Sequence, residues 1–148
     1  VPLEGVRLKI APDSRLLISG KTLAEGQDDW IFTNDLAELS SDGTLEIIGR
    51  ADRVIISGGL KLSLERVEYL GSELAGVSEI AAVSLADQTW GERVGIAYIG
   101  SPEVADDIAN QLAHLLGPAG KPIRVLRVDK LPKLATGKTN HRLIAELF

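Results

Sequence analysis

The chain lacks cysteine and methionine altogether, and only 4% of its 148 residues are aromatic. Without cysteine there is no disulfide and no thiolate metal site, which leaves the compartment open. A complete bacterial reading frame would start with methionine, so a chain that begins at Val1 reads as a fragment or a processed product. No apolar run approaches the roughly 18 residues that cross a bilayer, and no signal-peptide pattern is present, so no membrane partner is expected and the reading is cytoplasmic. Basic residues are in deficit, 16 Lys and Arg against 21 Asp and Glu, giving a net charge of −5. That balance argues against general nucleic-acid binding, which needs a basic surface. The remaining figures, 45% hydrophobic and 25% charged, are those of an ordinary globular protein. The length fits one domain, or a small domain carrying a piece of another.

The most informative stretch is residues 42–61. Asp42-Gly43 is a turn pair, Leu45 and the β-branched residues after it read as a strand, and Gly49 stops that strand. Three charged residues, Arg50, Asp52 and Arg53, precede a second apolar run from Val54 that ends in Ser57-Gly58-Gly59. Two strands joined by a charged, glycine-flanked connector look like a joint between two structural units, with the boundary at residues 50–53.

Before the joint the chain is strand and turn only. Val6, Leu8 and Ile10 alternate with polar or small residues, residues 12–14 form a turn, residues 16–19 are a partner strand, and residues 24–29 are a polar loop. Residues 30–36 are a short strand ending in Asp35. This is too little sequence for a convincing core of its own. After the joint, Ser63 is a plausible N-cap for a helix running to about Leu74, with Leu64, Val67, Leu70 and Leu74 on one face and Gly76 ending it. Strands are expected at residues 80–85, 94–99 and 123–128. A second helix opens at Pro102 and stops at Gly117-Pro118, and a short terminal helix carries Leu143, Ile144 and Leu147. The fold class is therefore α+β: a small C-terminal domain over residues 51–148, with a three-stranded sheet core and flanking helices, preceded by a β-rich segment over residues 1–50. There is no internal repeat and no low-complexity segment.

Four ordered motifs carry a family resemblance: Thr33-Asn34-Asp35, Gly49-Arg50-Ala51-Asp52, Ser57-Gly58-Gly59, and Pro132-Lys133-Leu134-Ala135-Thr136-Gly137-Lys138. Together they resemble the C-terminal part of the adenylate-forming acyl-CoA synthetases and ligases, which activate a carboxylate with ATP and pass the acyl group to a thiol. The resemblance implies a last β-subdomain of a large domain, a hinge, and a complete small domain. It implies ATP and CoA as cofactors, a small carboxylic acid as substrate, and Mg²⁺ bound mainly by a missing N-terminal adenylating domain. A homodimer is compatible with it. Alone, such a segment is expected to be inactive.

By the same resemblance Lys138 is the catalytic lysine that bridges substrate carboxylate and ATP phosphate. An ammonium on a long stem suits developing negative charge, and Gly137 gives the backbone room to turn before it. The bland alternative is a solvated surface lysine. A phosphate-binding P-loop is a poor match, because Pro132 stands where glycine is needed. Asp35 and Arg50 are the implied ribose contacts. A carboxylate with two acceptor oxygens suits a vicinal diol, and Asn34, where the family has glycine, tolerates positive φ better than most residues. Asp52 is the implied hinge, a connector that absorbs a domain rotation. Gly58, Gly59 and Lys61 are implied in the CoA channel, since paired glycines let backbone approach a thin ligand closely. The alternatives are an ion-pair residue for Arg50, turn residues for Asp35 and Asp52, and a plain tight turn at the glycines. Glu65 and Glu68 fall near acidic positions of the family or are solvated helix face. Trp90, His114 and His141 have no assignable partner.

Within the family, the compact loops and the Ser-Gly-Gly-x-Lys form are most similar to the o-succinylbenzoate–CoA ligases of menaquinone biosynthesis. Two other classes fit the motifs: an adenylation domain serving a carrier protein, and a non-catalytic binding or regulatory module that kept the fold. Lys138 also resembles the lysine at which such synthetases are switched off by acetylation, which removes its charge.

Overall fold

The computed structural model describes residues 4–20 and 30–148, so the polar loop expected at residues 24–29 lies outside it. The chain divides into two compact units, Val1–Arg53 and Val54–Phe148.

The first unit is an antiparallel meander of β1 (Val6–Ile10), β2 (Arg15–Gly20), β3 (Ile31–Leu39) and β4 (Leu45–Arg50), paired in that order. Strict alternation along β1 gives a strand half-buried at every second residue. The β3–β4 turn is built by Asp42-Gly43: Gly43 has φ 84°, and the Asp42 carboxylate accepts from Thr44 N at 2.9 Å. Leu16, Leu17, Leu36 and Ala37 are buried, while Phe32, Leu39 and Ile47 are exposed. A 3-10 turn, Ala51–Arg53, follows β4.

The second unit runs β5 (Val54–Ser57), β6 (Leu60–Ser63), α1 (Leu64–Ser72), β7 (Val77–Asp87), β8 (Gly91–Gly100), α2 (Ala105–Leu116), β9 (Arg124–Arg127) and α3 (His141–Ala145). Its sheet has the order β6-β5-β8-β7, with β9 parallel to β8. Five strands thus stand where the sequence suggests a core of three. The three are β7, β8 and β9, and the β5–β6 hairpin joins them through the Ser57–Gly91 pair.

Both faces of this sheet are covered. Side chains alternate along a strand, so Ala82, Val94, Ile96 and Tyr98 face α1 and α2, where they meet Val67, Ile108 and Leu112. Ala81, Val83 and Ala97 face the other way, against Leu131 and Ile144 of the C-terminal segment. Two-sided burial explains why β7 and β8 read as continuous apolar runs. Ser63 does cap α1, accepting from Arg66 N at 3.3 Å, but the helix ends at Ser72 instead of Leu74. Beyond it the chain turns: Leu74 N donates to Gly71 O, and Gly76 takes φ 87° to enter β7. No helix among the described residues is long and apolar enough to cross a membrane.

Candidate functional site

In the first unit the structure places Asp35 and Arg50 opposite each other on β3 and β4. Directly opposed residues of an antiparallel pair project to the same face, so a carboxylate and a guanidinium share one surface. β3 does not end at Asp35, as the sequence suggests; it runs on to Leu39, and the register shifts by a bulge just after Leu36. Asn34 needs no positive φ either, because Thr33-Asn34-Asp35 is extended strand and Ser14 is the one described non-glycine residue with φ above zero. The Thr33 hydroxyl fixes the segment instead, accepting from Asp35 N at 3.1 Å and donating to Leu16 O at 2.9 Å. Arg50 forks onto Asp52, Nε to Oδ1 at 2.9 Å and Nη2 to Oδ2 at 3.2 Å. Those hydrogen bonds, and then the charges of Arg50 and Arg53, hold the Asp52 carboxyl below the usual carboxylate range. Asp52 lies in the 3-10 turn, one residue before the last of its unit. The group offers acceptors and planar donors together, suited to a diol beside an anion.

In the second unit Gly58 and Gly59 form the two-residue turn between β5 and β6, with φ 57° and 82°, the pattern of a type I′ hairpin. Gly58 N donates to Trp90 O at 3.0 Å, and a Cβ at Gly58 would sit 2.6 Å from the Trp90 ring. Only glycine lets that ring close on the backbone. Arg93 lies over the same ring at 5.1 Å from its centroid and donates to Lys121 O. Glu92 ties the hairpin to the sheet: one oxygen accepts from Ile56 N at 2.9 Å and the other from Ser84 Oγ at 2.8 Å. Asp87 folds the β7–β8 turn by accepting from Thr89 N and Trp90 N, and these bonds lower its pKa. Lys61 is exposed on β6, opposite Ile56. Ser57 is fully buried, with no hydrogen-bond partner for Oγ among the described residues. Sequence reasoning gave Trp90 no role, and a lone aromatic in a polar turn carries no signal that a glycine 32 positions earlier is its seat.

Lys138 stands in a tight hairpin that precedes α3. Gly137 N donates to Leu134 O at 2.9 Å and Leu134 N to Lys138 O at 2.7 Å, with Gly137 at φ 84°. This is the three-residue hairpin loop that places glycine in the left-handed position. A bridge between Lys133 and Thr139 and the bond from Asn140 N to Pro132 O close its base. α3 begins at His141, capped by the Asn140 side chain. The Lys138 ammonium is exposed and makes no hydrogen bond or ion pair with the described residues, whereas Lys133 pairs with Glu79 at 2.6 Å. His141 meets Glu68 at 2.8 Å, and Glu68 also accepts from Ala82 N at 2.8 Å. The sequence offers no partner for His141, and Glu68 is not a solvated helix face. Glu65 is half-buried in the first turn of α1, and His114 is exposed in the last turn of α2.

No group of three or more His, Cys, Asp or Glu among the described residues could hold a metal ion. A shallow cavity lined by Gly76, Ser78, Ser101, Arg127 and Asp129 contains none of the candidate residues.

Residues 66–138 match the family model of the AMP-binding enzyme C-terminal domain. Over 94% of its length the chain is 31% identical to 2-succinylbenzoate–CoA ligase of Listeria monocytogenes, of which it spans 32%. It is 29% identical, over 80% of its length, to the medium/long-chain-fatty-acid–[acyl-carrier-protein] ligase FadD10 of Mycobacterium tuberculosis, of which it spans 23%. Its fold resembles that of o-succinylbenzoate CoA synthetase (MenE) of Bacillus subtilis, solved with its acyl-adenylate intermediate. The TM-score is 0.84 at 22% identity, over 97% of this chain and 34% of that one. The chain thus spans about a third or less of the length of each of these proteins.

Proposed function

We propose, for a chain that carries the C-terminal domain of the AMP-binding enzymes, that it forms the C-terminal part of an ATP-dependent acid–CoA ligase. Its partner is an N-terminal adenylating domain, and it works in the cytoplasm, where ATP and CoA are available. One observation carries the reading: Arg50 stands opposite Asp35 and grips Asp52 in the turn that closes the first unit. Ribose recognition and hinge are then joined by one side chain.

In this reading residues 1–50 belong to the large domain, residues 51–148 form the mobile one, and Asp52 is the hinge. Asp35 accepts from the ribose hydroxyls of ATP while Arg50 approaches the same nucleotide. Lys138 supplies positive charge as a carboxylate oxygen attacks the α-phosphorus and pyrophosphate leaves. The small domain then rotates, withdrawing Lys138 and presenting the Gly58-Gly59 turn and Lys61 to the pantetheine arm. The CoA sulfur attacks the acyl carbonyl, and AMP departs. Mg²⁺ belongs, in this reading, to the N-terminal adenylating domain, and the described residues hold no group of three or more His, Cys, Asp or Glu for it.

The Listeria relative makes o-succinylbenzoate the first acid to test, and with it a place in menaquinone biosynthesis. The relationship to FadD10 favours, as second reading, a carrier-protein thiol as the acyl acceptor. ATP–pyrophosphate exchange by the parent protein with a panel of acids, o-succinylbenzoate included, tests the first step. Supplying CoA or a phosphopantetheinyl carrier protein separates the two acceptors. Lys138→Ala should lower exchange by about a hundredfold or more, the scale of lost transition-state charge stabilisation, while thioester formation from preformed acyl-adenylate persists. Equal loss in both half-reactions would remove Lys138 from the adenylation step.

A further inference from the structure

Among the described residues β7 pairs with a strand, β8, along one side only, and its other side is the edge of the sheet. Two carboxylates mark that strand: Glu79 lies on it, and Glu68 reaches from α1 to accept from its Ala82 N–H. Ala82 is three steps along the strand from Glu79, roughly 10 Å at about 3.3 Å per residue. Both carboxylates hold the C-terminal segment. Lys133, on the entering arm of the Lys138 hairpin, bonds Glu79 at 2.6 Å, and His141, just past the leaving arm, bonds Glu68 at 2.8 Å. The base between those arms is closed by the Lys133–Thr139 bridge and the Asn140–Pro132 bond.

We propose that Lys133–Glu79 and His141–Glu68 are a paired strap that fixes the Lys138 hairpin along β7, at the edge of the sheet. These four are positioning residues, acting through the placement of Lys138. The division of labour is visible in the side chains: Lys133 is tied down, while Lys138, five residues later, has no partner among the described residues. A long, unpaired ammonium is useful only if its stem starts from a fixed point, since a misplacement of about 1 Å at a reacting centre can cost on the order of a hundredfold in rate. Glu68 has a further part. It takes a backbone donor of β7 and the imidazole together, and so links α1, on one face of the sheet, with α3, on the other. The role assigned to Lys138 rests on the ligase reading; the strap itself does not.

Hydrogen exchange on this chain tests the strap directly. In Lys133→Ala and in His141→Ala the amides of Leu134 and Asn140 should exchange about tenfold faster, with those of Ile96 and Tyr98 unchanged. The reversed pair Lys133→Glu with Glu79→Lys should restore slow exchange, and His141→Arg should preserve it. Lys133 and Glu79 are both partly exposed, so their variants should melt within about 2 °C of the parent. In the full ligase the alanine variants should slow adenylation by about tenfold or more and leave thioester formation from preformed acyl-adenylate unchanged. Unaltered exchange at Leu134 and Asn140, or failure of the reversed pair to restore it, would overturn the strap. Absence of pyrophosphate exchange in the unmutated parent would count against the ligase reading alone.

Discussion

Arg50 has two carboxylates within its reach along the chain, Asp35 across the ladder and Asp52 two positions on, and its fork is committed to Asp52. Both members are about half exposed, so the pair contributes less than about 1 kcal/mol to stability. Its clearer signature is the titration of Asp52. A carboxyl whose folded pKa is depressed stabilises the fold at pH above its unfolded value, near 3.9, and that contribution is lost as pH falls through the lower folded value. Carbon-detected titration should find Asp52 below the ordinary range, and Arg50→Ala should return it toward about 3.9. An ordinary value in the unmutated chain would mean the fork is not formed in solution. Asp87 should titrate low as well, chiefly from the Trp90 and Thr89 amides with a smaller pull from the Arg93 charge, and should not respond to Arg50→Ala. Residue types and motifs are legible one at a time; their partners are not. Asp35 and Arg50 are fifteen positions apart and meet only through a register that a bulge shifts at Leu36. His141 and Glu68 are 73 positions apart, on elements packed against opposite faces of one sheet, and no local pattern records that.

The β5–β6 hairpin separates two costs that usually come together. Gly59 at φ 82° has open space where a Cβ would go, so Gly59→Ala should lose only the left-handed backbone preference, about 1–2 kcal/mol. Gly58 at φ 57° has the Trp90 ring in that space, so Gly58→Ala should lose about 1–3 kcal/mol more by overpacking, for a total of about 2–5 kcal/mol. Urea midpoints of the two variants check the order, and in a Trp90→Ala background the difference between them should shrink. Equal losses in the unmutated background would mean that the ring does not rest on Gly58. The same hairpin marks the limit of reading elements from sequence. β1 and β8 are evident because alternation or a long apolar run is sustained, and α1 because apolar residues recur at helical spacing above a serine cap. β6 is four residues long, exposed at Leu60 and Lys61 and buried at Leu62 and Ser63, so it has no period to detect. The Lys138 hairpin is closed by backbone bonds and one bridge, and hydrogen bonds of that kind leave no hydrophobic pattern.

At the scale of the molecule the two units differ in how they are built. The first is a sheet of neighbours paired in sequence order, with three leucines and one alanine buried among its described residues and Phe32, Leu39 and Ile47 left exposed. The second has apolar clusters on both faces of its sheet, and its strands are joined out of order: β5 reaches β8 across α1 and β7, and β9 returns parallel to β8 after α2. Apolar burial on two faces is what a self-sufficient domain requires, and the segment Val54–Phe148 is within the size at which many domains fold alone. Its long-range pairings must close large loops before they are rewarded, which slows folding relative to a helical domain of the same length. Residues 54–148 produced alone should therefore unfold in urea in one cooperative transition, with coincident fluorescence and circular dichroism curves and a slope of about 1–3 kcal/mol per molar. Trp90 is the single tryptophan of that segment, so the fluorescence curve reports the Gly58 contact itself. Two separated transitions would mean that the β5–β6 hairpin and its ring come away before the two-faced core.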